Sequence, residues 1–252
     1  MKLKDFDFFI GKKESFIDEI DSYRNDFVKN IIVTPNLDFW VRMQSDKNFC
    51  EVIKSATYKV CDGMPLVWVS HLRWLLYDEV KFDRITGADL LPEIIHHAGK
   101  TGQSYRIAFI GGLPGVAEKA KDNLLSEIEN RQNIDIKCFC PPFGFEKNIT
   151  DTKKIIDFVN EIKPHYLFFG VGSPKQEIWL SRHKEELEFS NGLCVGAAFD
   201  FVAGTVKRSP TLLQIVGLEW CWRLFQEPKR LFRRYAKNFI MLIPLLMVNL
   251  KR

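Results

Sequence analysis

Short runs rich in apolar residues alternate with longer amphipathic stretches over most of the chain. The runs lie at residues 30–36, 58–62, 105–111, 134–140, 166–172 and 192–200. Mostly apolar runs of this length are typical of strands that are buried on both faces of a sheet. Between them, apolar residues recur at helical spacing, as in the stripe Leu90, Leu91, Ile94, Ile95 and Ala98. The alternation predicts an α/β fold in which helices flank a mostly parallel, Rossmann-like sheet.

Polar residues or glycines stand where one predicted strand after another ends. They are Thr34 and Asn36, Asp62, Gly111 and Gly112, Gln176, and Asp200. The carboxyl ends of parallel strands share one edge of a sheet, and α/β proteins bind their ligands there. Asp62 could act as a base at this edge, or it could only cap a helix that opens at Pro65. The convergence of the other polar strand ends favours the base.

The remaining candidates also have ordinary structural interpretations. Thr34 and Asn36 suit turns, and a loop arginine such as Arg84 is commonly a solvated surface charge, although its planar fork of donors can also clamp a phosphate. The turn that begins at Gly111 and Gly112 could bring a helix N-terminus to a phosphate or be a plain strand–helix turn. Its glycines do not have the GxGxxG spacing, which disfavours a dinucleotide-dependent dehydrogenase.

The character of the chain changes after residue 204. The whole chain carries a net charge of +4, yet residues 205–252 hold ten Lys or Arg against Glu219 and Glu227. We therefore predict an α/β core over residues 1–204 and a basic helical C-terminal appendage over residues 205–252. Such a charge distribution suggests an anionic partner for the appendage.

An apolar run at residues 239–250 lies within this appendage. It falls short of the roughly 20 residues that span a bilayer as a helix, and Pro244 interrupts it. A helix that lies on an anionic membrane surface fits the run and its flanking arginines. The alternative is that the run packs on the protein's own core or on a second subunit of a homo-oligomer. Nucleic acid is not an expected partner, because such binding favours stacking aromatics over a long aliphatic run.

Cysteine usage and the N-terminus bear on compartment and metal binding. The six cysteines form no CxxC pair, so we expect no metal site. The first residues show no continuous apolar segment of the kind found in signal peptides. We therefore expect a cytoplasmic protein that is peripheral on the inner face of the cell membrane.

Taken in order, these segments resemble the WecG/TagA/CpsF family of bacterial glycosyltransferases, glycosyltransferase family 26. The resemblance runs from Thr34 to Tyr235. It rests on residues 34–36, 62–65, 84–87, 110–115, 172–177, 199–204, 208–210, 217–220, 223–224 and 227–228. Each piece is short, but their joint order and spacing are specific. Met64 departs from the glycine or other residue expected there in many relatives, and it leaves the Asp62–Gly63 pair intact.

The resemblance implies an inverting, metal-independent enzyme without a cofactor. It implies transfer of N-acetylmannosamine or its uronic acid from UDP to an undecaprenyl-diphosphate-linked sugar, in cell-surface polysaccharide or teichoic acid synthesis. Another donor, such as UDP-glucuronate or a UDP-hexose, is an alternative. A non-catalytic nucleotide-binding or membrane-assembly adaptor is an alternative of a different class.

The resemblance also implies a role for each candidate residue. Asp62 would be the general base. By the same resemblance, Thr34 and Asn36 would shape the sugar pocket, and Arg84 and Gln176 would contact the substrate. The nucleotide would be held by Gly111, Gly112 and Asp200. The diphosphate would be stabilised by Arg223, Arg230 and Arg233. Arginines suit that last role because the departing UDP gains negative charge as the bond to the sugar breaks.

Overall fold

The structure, a computed structural model, describes residues 2–3, 6–79 and 81–250, without the side chains of residues 2, 3, 215, 230 and 248–250. These residues contain eight strands and twelve α-helices. The strands are β1 Lys2–Leu3, β2 Phe6–Asp7, β3 Asn30–Val33, β4 Tyr58–Lys59, β5 Tyr105–Gly111, β6 Ile134–Phe139, β7 Tyr166–Gly170 and β8 Asn191–Cys194. The helices are α1 Lys13–Ser22, α2 Leu37–Met43, α3 Lys47–Ser55, α4 Met64–Tyr77, α5 Gly87–Thr101, α6 Val116–Ser126, α7 Ile149–Ile162, α8 Lys175–Arg182, α9 Ala198–Val202, α10 Thr211–Ile215, α11 Glu219–Gln226 and α12 Pro228–Leu250.

Strands β3 to β8 form one sheet in the order β4-β3-β8-β7-β5-β6, and every neighbouring pair in it is parallel. Successive side chains of a strand point to opposite faces. In β5, Ile107 and Phe109 accordingly enter the core on one face, and Ala108 and Ile110 enter the core on the other. Burial on both faces explains the apolar runs, and the predicted parallel α/β sheet is confirmed.

Several predicted boundaries are wrong at the strand ends. The last strand stops at Cys194, because Gly196 adopts a φ of +58° and the chain then turns into α9. The sequence analysis placed Asp200 at the end of a strand, but Asp200 lies inside α9. The strand predicted up to Asp62 keeps only Tyr58 and Lys59 in the ladder, although the backbone N–H of Asp62 still donates to the carbonyl of Pro35 at 3.0 Å.

The C-terminal helix α12 packs across α2 and α4. Leu231 and Leu245 are each 1% exposed, so one face of the helix belongs to the protein's own core. Pro244 does not end the helix, which continues to Leu250. Within the described ranges, no helix is both long enough and apolar enough to cross a membrane.

We predict that Leu245→Ala lowers the free energy of unfolding by about 2–5 kcal/mol, because it leaves a cavity where α12 meets the core. Urea denaturation of the full chain measures this change. Ile243 is the matched control, since it lies on the same helix and is 63% exposed. Ile243→Ala should change the stability by less than about 0.5 kcal/mol. Equal, small effects of both substitutions would show that α12 is not docked in solution.

Candidate active site

Four sets of the polar positions predicted from the sequence follow β4, β3, β7 and β5 at the carboxyl edge of the sheet, whereas Asp200 lies within α9. Asp62 follows β4 and the glycine pair ends β5, which is the fifth strand in the order. At about 4.8 Å between neighbouring strands, four spacings separate them by about 19 Å. The edge thus holds an acidic end at β4 and a glycine turn at β5, rather than one tight cluster.

A pocket of about 240 Å³ lies at the β4 end of this edge. Residues of the α/β core and of the C-terminal helices line it together. From the core they are Asn36, Leu37, Asp38, Asp62, Gly63, Met64, Pro65, Trp68 and Arg84, and from the C-terminal segment they are Gly217, Glu219, Trp220, Arg223, Arg234, Tyr235, Asn238, Phe239 and Leu242. Without the C-terminal helices, this space would be an open surface and not a pocket.

Asp62 lines the pocket and does not cap α4. The residue at the cap position is Gly63, and no side chain caps this end of the helix. A Cβ atom on Gly63 would lie 3.0 Å from Cβ of Asn36, so glycine lets the start of α4 approach the start of α2. The Asp62 carboxylate therefore lies near the N-termini of α2 and α4 but caps neither helix. The capping interpretation of Asp62 is wrong.

The pKa of the Asp62 carboxyl is raised to about 6. Burial in the pocket is the main cause, because removing the carboxylate from water penalises its charged form. The Arg84 guanidinium opposes the rise, but its Nη2 atom is 3.8 Å from Asp62 Oδ1, beyond hydrogen-bond distance. A carboxylate with a pKa near 6 is largely ionised at neutral pH and still has an appreciable affinity for a proton.

Arg84 joins the core to the C-terminal segment. Its Nε atom donates to the carbonyl of Asp62 at 3.0 Å, and Nη1 donates to the carbonyl of Gln214 at 3.2 Å. Nη2 donates to Oε2 of Glu219 at 2.6 Å. The guanidinium is therefore not a solvated surface charge. The same fork was expected to contact the substrate, and here its donors are engaged within the protein.

Asn36 and Thr34 follow β3 in different environments. The Asn36 side chain lines the pocket, and its Oδ1 atom caps α2 by accepting from the backbone N–H groups of Asp38 and Phe39 at 3.0 and 3.3 Å. Thr34 is buried, and its hydroxyl donates to the carbonyl of Cys194 at 3.4 Å, which ties β3 to β8. Of the two, Asn36 reaches the pocket and Thr34 lies behind it.

Gln176 is buried and holds two loops together. Its Oε1 atom accepts from the backbone N–H groups of Gly172 at 3.1 Å and Gly196 at 3.2 Å, which lie after β7 and β8. Its Nε2 atom donates to Oε1 of Glu177 at 2.6 Å. Burial raises the pKa of Glu177 to about 7. Sequence reasoning missed Glu177, and it also missed that the Gln176 amide is used inside the protein.

The glycine turn at β5 has a steric reason of its own. Gly111 has a φ of +126°, and a Cβ atom there would lie 2.4 Å from the carbonyl oxygen of Gly170. Gly112 has a φ of +76°, and its N–H donates to the same carbonyl at 3.2 Å. Gly111 is thus required for the close approach of β5 and β7, and Gly112 suits the positive φ of the turn that follows. Asp200 lies on α9, where its Oδ1 atom accepts from the Thr205 hydroxyl at 3.3 Å.

The arginines of the C-terminal segment divide into three groups. Arg223 lines the pocket, with its guanidinium 5.8 Å from the centre of the Phe201 ring. Arg233 is exposed and is not among the residues that line the pocket, whereas its neighbour Arg234 is, with Nε 3.8 Å from Oδ1 of Asp38. The side chain of Arg230 lies outside the described residues.

Helical spacing relates Arg234 to the buried face of α12. It lies three residues after Leu231 and four before Asn238, and both of these are buried. Arg233 is rotated by about 100° from that face. Of these two adjacent arginines, the sequence analysis named Arg233, whereas Arg234 lines the pocket. A role of Arg233 at the diphosphate stays a prediction.

The described part of the chain contains no group of three or more His, Cys, Asp or Glu side chains that could hold a metal ion. The cations that the structure places around the pocket are the guanidinium groups of Arg84, Arg223 and Arg234.

Fold and pocket together define a Rossmann-like α/β protein with a carboxylate and several arginines at the carboxyl edge of its sheet. The family model described as "Glycosyl transferase WecG/TagA/CpsF family" matches residues 3–252, which is nearly the whole chain. The chain therefore belongs to the WecG/TagA/CpsF family of glycosyltransferases. The resemblance found in the sequence motifs is confirmed.

We predict that Asp62→Asn stabilises the protein at neutral pH. The native pKa of about 6 exceeds the ordinary value of 3.8, so ionising Asp62 costs stability as the pH rises from about 4 to about 6. Two pKa units correspond to about 3 kcal/mol. The substitution should therefore raise the free energy of unfolding by about 2–3 kcal/mol at pH 7.5 and have little effect near pH 4, as measured by urea denaturation.

Asp157→Asn is the control, because Asp157 is an exposed carboxylate on α7. It should leave the pH dependence of stability unchanged. If Asp62→Asn instead destabilised the protein at pH 7.5, the attraction of Arg84 would outweigh burial at this site.

Proposed function

We propose that this chain is an inverting, metal-independent glycosyltransferase that moves a sugar from UDP to an undecaprenyl-diphosphate-linked sugar. Membership of the WecG/TagA/CpsF family supports glycosyl transfer. The donor that the sequence resemblance favours is UDP-N-acetylmannosamine or its uronic acid, for cell-surface polysaccharide or teichoic acid synthesis. The observation that carries the mechanism is a carboxylate with a raised pKa, Asp62, that lines a pocket and bonds to no other side chain through hydrogen bonds among the described residues.

The proposed reaction is a single displacement at the anomeric carbon. Asp62 accepts the proton of the acceptor hydroxyl while that oxygen forms a bond to the anomeric carbon. The bond from this carbon to the phosphate oxygen breaks, and UDP leaves with the electron pair. Attack from the face opposite the leaving group inverts the configuration. A base with a pKa of about 6 is matched to this step near neutral pH.

The leaving UDP requires stabilisation of its negative charge. Arg223 and Arg234 line the pocket from α11 and α12, and guanidinium groups bond phosphates through two parallel donors. We assign this role to Arg223, together with Arg230 and Arg233, which the family pattern implies, and we add Arg234 because it lines the pocket. These arginines would take the place that a divalent cation has in metal-dependent transferases.

The nucleotide would extend along the carboxyl edge from the glycine turn towards Asp62. Gly111, Gly112 and Asp200 would lie at its nucleotide end, and Asn36 at its sugar end. Gln176 and Thr34 would act by fixing the loops around the substrate, because their side chains bond to the backbone at Gly172, Gly196 and Cys194.

We predict that Asp62→Asn lowers the rate of UDP release by a factor of at least about 100, because it removes the general base. UDP binding should persist, since the base contacts the acceptor and not the nucleotide. The assay combines candidate UDP-sugars, a lipid-diphosphate-linked sugar acceptor and EDTA. The wild-type rate should fall below a pH of about 6 as Asp62 becomes protonated.

Asp157→Asn is again the matched control and should keep the wild-type rate. Activity that disappears in EDTA and returns with a divalent cation would refute the metal-independent mechanism. A donor screen in the same assay distinguishes N-acetylmannosamine donors from UDP-glucuronate or a UDP-hexose. Full activity of Asp62→Asn would refute the base, and UDP binding without any turnover of the wild type would favour the adaptor.

The exposed face of α12 supports a peripheral membrane location. Large apolar side chains occupy one part of this face, while Arg233 and Lys237 are exposed on the part beside it. The apolar residues are Phe232, Phe239, Ile240, Ile243 and Met247. A helix that lies in the membrane interface combines such an apolar strip with basic side chains that attract anionic lipids. We therefore propose that α12 holds the enzyme at the inner face of the membrane, where the lipid-linked acceptor lies.

We predict that changing both Arg233 and Lys237 to Gln weakens binding to vesicles that contain anionic lipid. Each basic side chain near such a surface contributes about 1 kcal/mol, so the double variant should bind about thirtyfold more weakly at low salt. Sedimentation with the vesicles measures the change. Lys119→Gln combined with Lys153→Gln removes the same charge from exposed positions on α6 and α7 and should bind normally. Equal binding by the two double variants would contradict the role of α12.

A further inference from the structure

Glu219 is the first residue of α11, and it lies between two arginines. Its Oε2 atom accepts from Nη2 of Arg84 at 2.6 Å, and its Oε1 atom is 3.7 Å from Nε of Arg208. Its side chain is only 14% exposed. Arg208 is held in turn by Oδ1 of Asp89 at 2.7 Å. Glu219 therefore connects α11 to the core through two cations.

The donors of Arg84 leave the Asp62 carboxylate without a hydrogen bond, so the two groups form only a loose ion pair at 3.8 Å. Nε and Nη1 are occupied by the carbonyls of Asp62 and Gln214. Nη2 is the nitrogen within reach of both acids, and it is 2.6 Å from Glu219 but 3.8 Å from Asp62. One N–H group of Nη2 bonds Glu219, and in this position the guanidinium lies too far from the Asp62 carboxylate for a hydrogen bond.

We propose that Glu219 is a positioning residue that holds the Arg84 guanidinium off the Asp62 carboxylate when α11 is docked. The inference rests on the proposed role of Asp62 as the base. The C-terminal segment would then do more than line the pocket. Its docking would also determine whether the Asp62 carboxylate accepts a hydrogen bond from Arg84. An undocked α11 would leave Arg84 to bond Asp62 directly.

Four charged groups act on Asp62 from the elements around it. Arg84, in the loop before α5, and Arg223, on α11, lower its pKa. Glu219, on α11, and Asp89, on α5, raise it. Removing the charge of Glu219 would end one repulsion and release Arg84 towards Asp62. Both changes lower the pKa of Asp62 and make it a weaker base.

The test is Glu219→Gln in the full chain, assayed by UDP release as a function of pH. The acid limb of the rate profile should move to lower pH by about one unit, as expected when a carboxylate gains a close cation. The plateau rate should fall as well, because a weaker base transfers the proton less readily. Glu219→Asp keeps the charge and should restore the limb towards its wild-type position. Glu161→Gln, at an exposed position on α7, is the control and should leave the profile unchanged.

A second measurement does not depend on activity. The difference in unfolding free energy between Asp62→Asn and the parent at pH 7.5 should shrink in the Glu219→Gln background, because Asp62 is then stabilised by Arg84. This comparison remains informative if Asp62 proves not to be the base. It also tests the proposal if Glu219→Gln is inactive at every pH. In that case an unchanged difference in unfolding free energy overturns the proposal, and a smaller difference supports it.

Arg208→Gln separates the charge effect from loosening of the segment. It removes one of the two cations that hold Glu219 but leaves the bond between Glu219 and Arg84 in place. Its acid limb should stay at the wild-type pH. An acid limb that does not move in Glu219→Gln, that moves to higher pH, or that moves equally in Arg208→Gln would overturn the proposal.

Discussion

One guanidinium group, that of Arg84, connects the core side of the pocket to its C-terminal side. It bonds the carbonyl of Asp62 on the core side and the carbonyl of Gln214 and the carboxylate of Glu219 on the C-terminal side. A buried arginine must have its charge and donors satisfied, so these contacts are mutually dependent. The docking of Glu219 and the surroundings of the Asp62 carboxylate therefore depend on the same guanidinium.

Much of the fold follows from local patterns in the sequence. Strand β5 and the buried stripe of α5 appear where the apolar spacing predicts them, since burial on one or both faces leaves a clear period. The edge of the sheet that carries the site also follows, because parallel strands place all their carboxyl ends together. The predicted end of the last strand is wrong because a single glycine, Gly196, changes the direction of the chain. The sequence pattern does not show which glycine adopts a positive φ.

The contacts within the site were less accessible from sequence. Arg84 and Glu219 are 135 positions apart, and nothing in either local segment indicates the pairing. Gln176 illustrates a second difficulty, since a buried amide at a strand end can bond a substrate or the backbone, and only the positions of Gly172 and Gly196 distinguish the two. Arg233 and Arg234 differ by one position along α12. Only the burial of Leu231 and Asn238 shows that Arg234 lies on the face towards the pocket.

The site consists of two parts with different physical origins. Around β5, β7 and β8, glycines and the Gln176 amide join backbone to backbone, so that part is built within the core. At β4, the pocket needs residues from α11 and α12, and those helices are held by ion pairs and by one apolar face. The first part therefore depends on hydrogen bonds within the core, and the second depends on ion pairs and apolar packing between segments that are distant in sequence. This difference suits a transferase whose acceptor is lipid-linked, because the α12 surface proposed to meet the membrane belongs to the same segment that lines the pocket around Asp62, the proposed base.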